Sequence, residues 1–370
     1  MPKQHIIYII SHVNKSLGLE WTLSELKKKY ELTVLLLNIE NSSFEDFLTK
    51  NKINVIRIYY NGKQNIVTAF IKVFWFFLKL KPDIIHTHVF DANLIALTAG
   101  RLCGIKKRIY TRHDSTYHRR YFPKGVKYDL WCNKMATHII SISQATYKTL
   151  VEFENVNPEK IRTIYHGFDL RHFDSIDIKN SNKIKLKWNI PDNHPRIGVI
   201  ARYIEWKGIQ YIIPAFKDFL KKYPDATLIL ANAYGPYHNQ IVQQLETIPE
   251  SNYRIIPFEE DVAALYKLFD IYIHTPIDSL CEAFGQTYIE ALAAGVPSVF
   301  TLSGIACEFI EHEKNALVVN FKNSNEIYKE MIRLQSDKDL ANTIALNGKQ
   351  FVQKFNLERM INDLEKLYNE

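Results

Sequence analysis

Short runs of aliphatic and β-branched residues alternate with amphipathic stretches along nearly the whole chain, a rhythm that reads as βαβ units building parallel sheets. Strands are expected at 5–11, 32–38, 55–58, 83–88, 108–112, 138–141 and 161–165, with helices at 17–29, 66–80, 92–102 and 144–153 among them. The rhythm breaks over 171–193, a polar, Lys- and Asn-rich stretch that also carries Pro191 and is followed by Pro195, where an inter-domain linker is expected. It resumes with strands at 196–200, 227–232, 254–257, 271–274 and 296–300 and helices at 208–221, 259–268 and 285–294. A last amphipathic helix, 357–368, has no strand after it. A length of 370 residues exceeds what one hydrophobic core serves well, so two α/β domains are expected: 1–175 and 176–355, with a C-terminal helix over 356–370 free to pack back on the first.

The apolar run Ile6-Ile7-Tyr8-Ile9-Ile10 is too short for the core of a signal peptide. The longest apolar segment, 66–80, contains Lys72 and Lys79 and falls short of the roughly 20 residues of a membrane span. Cys103, Cys132, Cys281 and Cys307 form no CxxC pair and read as reduced thiols of a cytoplasmic protein. The net charge of +7 is uneven: residues 1–175 hold 26 Lys/Arg against 15 Asp/Glu, whereas the remainder holds 21 against 25. The first half is thus suited to an anionic surface, a phosphate-bearing acceptor or nucleic acid, although solvated lysines produce the same imbalance.

Ligands of open parallel sheets bind outside the carboxyl ends of the strands, and three clusters lie there in the second half. Arg202 and Lys207 stand on a loop that feeds a helix, a pairing of cations with free N–H groups that suits a diphosphate. A surface pair at a turn would look the same. Glu282 and Glu290 bracket Phe284-Gly285-Gln286, with Glu290 inside the helix that opens near Gly285. Two carboxylates so placed suit vicinal hydroxyls, of a sugar for Glu282 and of a ribose for Glu290, and Gly285 admits a ligand close to the backbone. An amphipathic helix with two solvated glutamates has the same pattern. Ser303-Gly304-Ile305-Ala306-Cys307-Glu308 is a small-residue loop with room for a phosphate or sugar, a weak signal by itself.

Taken in order, Arg202…Lys207-Gly208 and Glu282-Ala283-Phe284-Gly285…Glu290-Ala291-Leu292-Ala293-Ala294-Gly295-Val296-Pro297 resemble the C-terminal domain of family 4 retaining glycosyltransferases. His86-Thr87-His88, Thr111-Arg112-His113-Asp114, the serine turn at 141–146 and His166-Gly167-Phe168-Asp169 extend the resemblance through the first half. It implies the GT-B fold: α/β, two Rossmann-like domains whose parallel sheets face each other across a cleft. It further implies that Arg202 and Lys207 bind the donor diphosphate, that Glu282 holds the transferred sugar, and that His113 reaches the sugar from the opposite domain. Phe284, Gly285, Gln286 and Glu290 would bind the donor with Gly18, the one glycine left of the family's early Gly-Gly loop. His88, Arg119 and Arg120 are assigned to the acceptor. The family's Asn before Gly167 is His166 here, and its Gly before Arg202 is Ala201.

The expected reaction is transfer of a sugar, with retention, from a UDP- or GDP-sugar to a glycan or lipid-linked acceptor in cell-surface polysaccharide or lipopolysaccharide assembly. No metal and no cofactor is expected. His86, His88 and His113 could in principle form a three-histidine metal site, but each reads better as a packed or hydrogen-bonded histidine. The aromatic and basic segments 114–124 and 66–81 suggest peripheral contact with an anionic membrane at the cytoplasmic inner face; a helix buried against the sheet fits 66–81 equally well. The interleaved aromatics would also suit single-stranded nucleic acid, which nothing else supports. Competing readings are a sugar-phosphate synthase or phosphorylase, and a degenerate GT-B protein that binds glycans or scaffolds a partner.

Overall fold

The computed structural model describes residues 3–174 and 178–370. The chain forms two compact units, one comprising the residues up to Phe168 together with Phe355–Glu370, the other Asp169–Lys354.

The first unit is built on seven parallel strands: β1 (His5–Ser11), β2 (Glu31–Asn38), β3 (Asn54–Tyr59), β4 (Ile84–His88), β5 (Lys107–Arg112), β6 (His138–Ser141) and β7 (Ile161–Thr163). Their order is β3-β2-β1-β4-β5-β6-β7. Ile6–Ser11 of β1 and Leu32–Asn38 of β2 are buried throughout, because helices cover both faces of such a sheet and continuous aliphatic runs satisfy both. The helix Ile66–Leu80 buries Ala69, Val73 and Phe77, spaced four apart on one face, and packs on the helix Phe90–Leu102. The helix Leu357–Asn369 buries Met360, Ile361, Leu364, Leu367 and Tyr368. Its last carbonyls, of Leu367 and Tyr368, accept from Lys107 Nζ at 3.1 and 2.8 Å, a basic group meeting the negative end of a helix.

The second unit has six parallel strands: β8 (Arg196–Ile200), β9 (Thr227–Ala231), β10 (Tyr253–Ile256), β11 (Ile271–His274), β12 (Ser298–Phe300) and β13 (Leu317–Val318). Their order is β10-β9-β8-β11-β12-β13. In both sheets the order reverses beside the first strand, between β1 and β4 and between β8 and β11. Loops leaving two such strands diverge to opposite faces and open a crevice at the carboxyl edge.

The segment 171–193, expected as a linker, contains the helices Arg171–Asp174 and Ile178–Lys187. The second is anchored by buried Ile184 and by Ser181 Oγ donating to the Ala264 carbonyl at 3.2 Å. Lysines and asparagines occupy most of the remaining positions, which is why composition alone read as linker.

Candidate active site

In the second unit the loops after β8 and β11, the strands that flank the reversal, meet. Gly208 has φ +75°, and a Cβ there would lie 1.8 Å from the Thr275 carbonyl oxygen, so only glycine lets the two loops approach this closely. The contact brings Lys207 Nζ to 2.6 Å from Glu282 Oε1. His274, the last residue of β11, lies 3.2 Å from the same oxygen through Nε2. Burial would raise the Glu282 carboxyl, but the Lys207 ammonium and the His274 hydrogen bond outweigh it and hold the group well below the usual carboxylate range. Arg202 is exposed, and its guanidinium makes no ion pair among the described residues. Arg202 is therefore available to an anion, whereas Lys207 is already engaged.

The third cluster closes on the second. Ser303 Oγ accepts from the Glu282 backbone N–H at 3.1 Å, and the Ile305 N–H donates to the Phe284 carbonyl at 2.9 Å. Gly304 has φ +56°, and a Cβ there would meet the Phe284 oxygen at 2.7 Å. The weak signal at 303–308 is thus a buttress for Glu282. Gly285 caps the helix Gln286–Ala293 at φ +86°, leaving first-turn N–H groups without intrahelical partners; Phe284 is buried and Gln286 exposed. Glu290 lies half-buried in that helix and accepts from Tyr266 Oη at 3.1 Å. Burial lifts its carboxyl to about 7 despite that hydrogen bond.

In the first unit, histidines gather at the carboxyl ends of β4 and β5. His88 Nδ1 lies 2.9 Å from His113 Nε2, and the His166 ring stacks on His113 at 5.6 Å and 11°. The three-histidine metal arrangement is not formed: His86 directs Nδ1 to Tyr368 Oη at 2.7 Å and Nε2 to Thr111 Oγ1 at 2.8 Å. Tyr368 Oη lies 2.5 Å from Tyr8 Oη, so the C-terminal helix completes this network. Burial holds His86 neutral, down to about 3, and lowers His88 as well. His88 is buried while His113 is exposed, so His113 is the ring that a ligand meets first. A Cβ on Gly18, in the first turn of the helix Leu17–Leu26, would touch nothing within 4 Å. Arg119 and Arg120 are exposed on the short helix Tyr117–Tyr121, and the Arg119 guanidinium sits 5.2 Å from the Phe153 ring centroid. Asp114, His118 and Asp129 bring possible metal-ligand atoms within 4.8 Å of one another, but Arg112 already pairs with both carboxylates.

Two family models divide the chain between them. Residues 22–172 match the glycosyltransferase family 4 model and residues 180–351 the model of glycosyl transferases group 1. The chain belongs to these glycosyltransferases. Within the family, the capsular polysaccharide biosynthesis glycosyltransferase CapM of Staphylococcus aureus is 25% identical, over 100% of this chain and 98% of its own. The alpha-monoglucosyldiacylglycerol synthase of Acholeplasma laidlawii is 24% identical, over 78% of this chain and 76% of its own. The crystal structure of Anabaena HepE in complex with UDP-glucose has the same fold, with a TM-score of 0.85 at 21% identity over 99% of this chain and 100% of that one. A family 4 glycosyltransferase therefore has the GT-B fold here, as two Rossmann-like parallel-sheet domains. His274, Tyr266 and Tyr368 escaped the sequence reading, and Ser303 was read as room for a ligand rather than as a support for Glu282. For His274 a signal was present: a polar residue closing the otherwise apolar strand Ile271-Tyr272-Ile273.

Proposed function

We propose that this chain transfers a hexose, with retention and without a metal, from a UDP- or GDP-sugar to a glycan or lipid-linked acceptor in cell-surface polysaccharide or lipopolysaccharide assembly. The observation that carries this reading is the Lys207–Glu282 contact at the point where strand order reverses, with the exposed, unpaired Arg202 on the loop that leaves β8 there. Two cations at a diphosphate stabilise the charge that grows on the leaving group, often the largest catalytic contribution. The bond from the anomeric carbon to the phosphate oxygen breaks while a bond to the acceptor hydroxyl forms on the same face. The acceptor proton passes to the departing diphosphate, which is why no carboxylate nucleophile is required. Glu282 offers sugar hydroxyls an acceptor, and Glu290 takes the ribose. The names of CapM and the lipid glucosyl transfer of the Acholeplasma enzyme favour a surface glycan or lipid acceptor, and the HepE complex favours UDP. Incubation with UDP- and GDP-sugars in the presence of a chelator tests this: nucleotide release with retained anomeric configuration supports it. Tight donor binding with no release in the presence of any acceptor glycan or lipid would point instead to a binding module.

The raised Glu290 carboxyl gives a pH signature. Ribose hydroxyls need the ionised form as acceptor, so nucleotide affinity is expected to fall as pH drops below about 7, approaching tenfold per unit. Calorimetry between pH 6 and 8 reads this directly. Glu290→Gln should flatten the slope, leaving only the titration of the nucleotide itself.

The same reading places the enzyme at the inner face of the cytoplasmic membrane. The helix Ile66–Leu80 turns Val67, Ile71, Trp75 and Leu78 outward, each 51–65% exposed, opposite its packed face. Residues 47–82 include seven Lys/Arg and no Asp/Glu. Among the described residues no helix is long and apolar enough to cross a membrane; this one suits the interface, apolar residues in and lysines on headgroups. Ile71→Glu with Trp75→Glu is expected to reduce co-sedimentation with anionic phosphatidylglycerol vesicles at least about tenfold. Release of nucleotide to a water-soluble acceptor should be unchanged.

A further inference from the structure

We propose that His274 is a positioning residue for sugar transfer, pinning one oxygen of Glu282 so that the other alone addresses the sugar. This rests on the assignment of Glu282 to the transferred sugar. Lys207 Nζ and His274 Nε2 both meet Oε1, at 2.6 and 3.2 Å, and Oε2 has no hydrogen bond among the described residues. The terminal torsion of a glutamate is soft and nearly two-fold, so without such a pin the two oxygens exchange freely. Backbone contact from Ser303 Oγ to the Glu282 N–H fixes where the residue starts, and His274 fixes where it ends.

His274 has no evident reason to be there for stability. It is 1% exposed, its ring meets Tyr288 edge-on at 4.7 Å, and its neighbour across the sheet is Phe300. A neutral imidazole can donate to the carboxylate only from Nε2–H, which leaves Nδ1 as an acceptor. Nδ1 is buried and has no hydrogen-bond partner, an arrangement a folded core ordinarily avoids. An aliphatic residue would extend the strand Ile271-Tyr272-Ile273 without that cost, and conflicts of this kind concentrate at functional positions. The double contact on Oε1 also has a use during the reaction. A diphosphate that draws Lys207 away removes the closer partner of Oε1, and His274 remains to hold it.

Three chains decide the matter: wild type, His274→Leu and His274→Gln, whose amide can donate from a position near that of Nε2. His274→Leu is expected to lower kcat about 10²-fold, the scale of a misplaced reacting group, with an unchanged or higher Tm and unchanged affinity for free UDP or GDP. His274→Gln should recover to within about tenfold of wild type, a rescue that loss of packing would not give. Wild-type turnover in His274→Leu, or a His274→Gln chain no better than His274→Leu at equal Tm, overturns the proposal. Should wild type itself release nucleotide from no donor, the reading of Glu282 fails first. The pin is then judged separately by nitrogen-15 NMR of the imidazoles. A ring locked in the Nε2–H form, absent in His274→Leu and unlocked by Glu282→Gln, supports it; no such ring overturns it.

Discussion

Replacing Lys207 with alanine is expected to lower the rate of nucleotide release by about 10²- to 10³-fold, the usual cost of removing one group that stabilises developing charge. The same substitution strips Glu282 of its cation. Both side chains are largely buried, at 18% and 9% exposure, and breaking such a pair from one side costs about 3–5 kcal/mol because a buried charge is left behind. His274 retains one hydrogen bond to that carboxylate, so the lower end of the range is expected. The two effects separate by pH. The Glu282 carboxyl is depressed in the folded protein, so the pair stabilises the fold above the ordinary glutamate value and ceases to do so as pH falls through the depressed one. The Tm deficit of Lys207→Ala should therefore be full at pH 7 and shrink as pH falls toward and through the ordinary glutamate range, because without the ammonium the buried carboxyl takes up a proton more readily. Adding Glu282→Gln to Lys207→Ala should restore Tm at pH 7 and restore no activity. If Lys207→Ala keeps wild-type turnover, the ammonium is structural and the diphosphate assignment falls to Arg202 alone. Arg202→Ala offers the complementary case: with an exposed, unpaired guanidinium it should lose activity on a similar scale with little change in Tm.

The strands of both sheets were legible because a parallel sheet covered on two faces demands continuous aliphatic runs, and few other structures produce them in alternation with helices. β13 was not, since two residues, Leu317 and Val318, give no period to detect. The helix Ile178–Lys187 was missed for a different reason: among its described side chains only Ser181 and Ile184 are buried, too few apolar positions to show a stripe. At the site, the clusters at 202–207 and 282–290 were visible since their residue types have few reasons to recur at those spacings. Their mutual contact was not visible, because it depends on β8 and β11 being neighbours, a fact of strand order. The same holds for the roles of Ser303 and His274, which arise from β11 and β12 delivering their loops side by side. The helix Ile66–Leu80 could be read as buried or interfacial, and burial of every fourth residue on one face with exposure of Val67, Ile71, Trp75 and Leu78 on the other decides that it is half of each.

Arg112→Leu should be the most destabilising single change in the first unit. The guanidinium is 3% exposed and serves three carboxylates: Glu154 at 2.7 Å, Asp129 at 3.1 Å and Asp114 at 3.2 Å. These in turn hold others, Asn133 Nδ2 donating to Glu154 at 2.7 Å and His118 Nδ1 lying 2.6 Å from Asp129. Burial raises the carboxyls of Asp114 and Glu154 even against the charge of Arg112, so without it they must either stay charged in a dry site or bind protons. A loss of about 3–5 kcal/mol is expected, or roughly 6–20 °C in the melting temperature of a unit this size. Carboxyls whose folded values exceed their unfolded ones destabilise progressively as pH rises, so the deficit should be largest at pH 7–8 and smaller near pH 5. Calorimetry of Arg112→Leu at the two pH values checks both magnitude and slope, and a deficit independent of pH would mean that lost packing rather than stranded charge is responsible. Arg112→Lys keeps the charge but not the planar fork that reaches three partners, and should fall between the two. Because Asp114 and the short helix that carries His118 follow His113 directly, a protein that survives Arg112→Leu at low temperature should also transfer sugar poorly, its exposed imidazole no longer held beside His88.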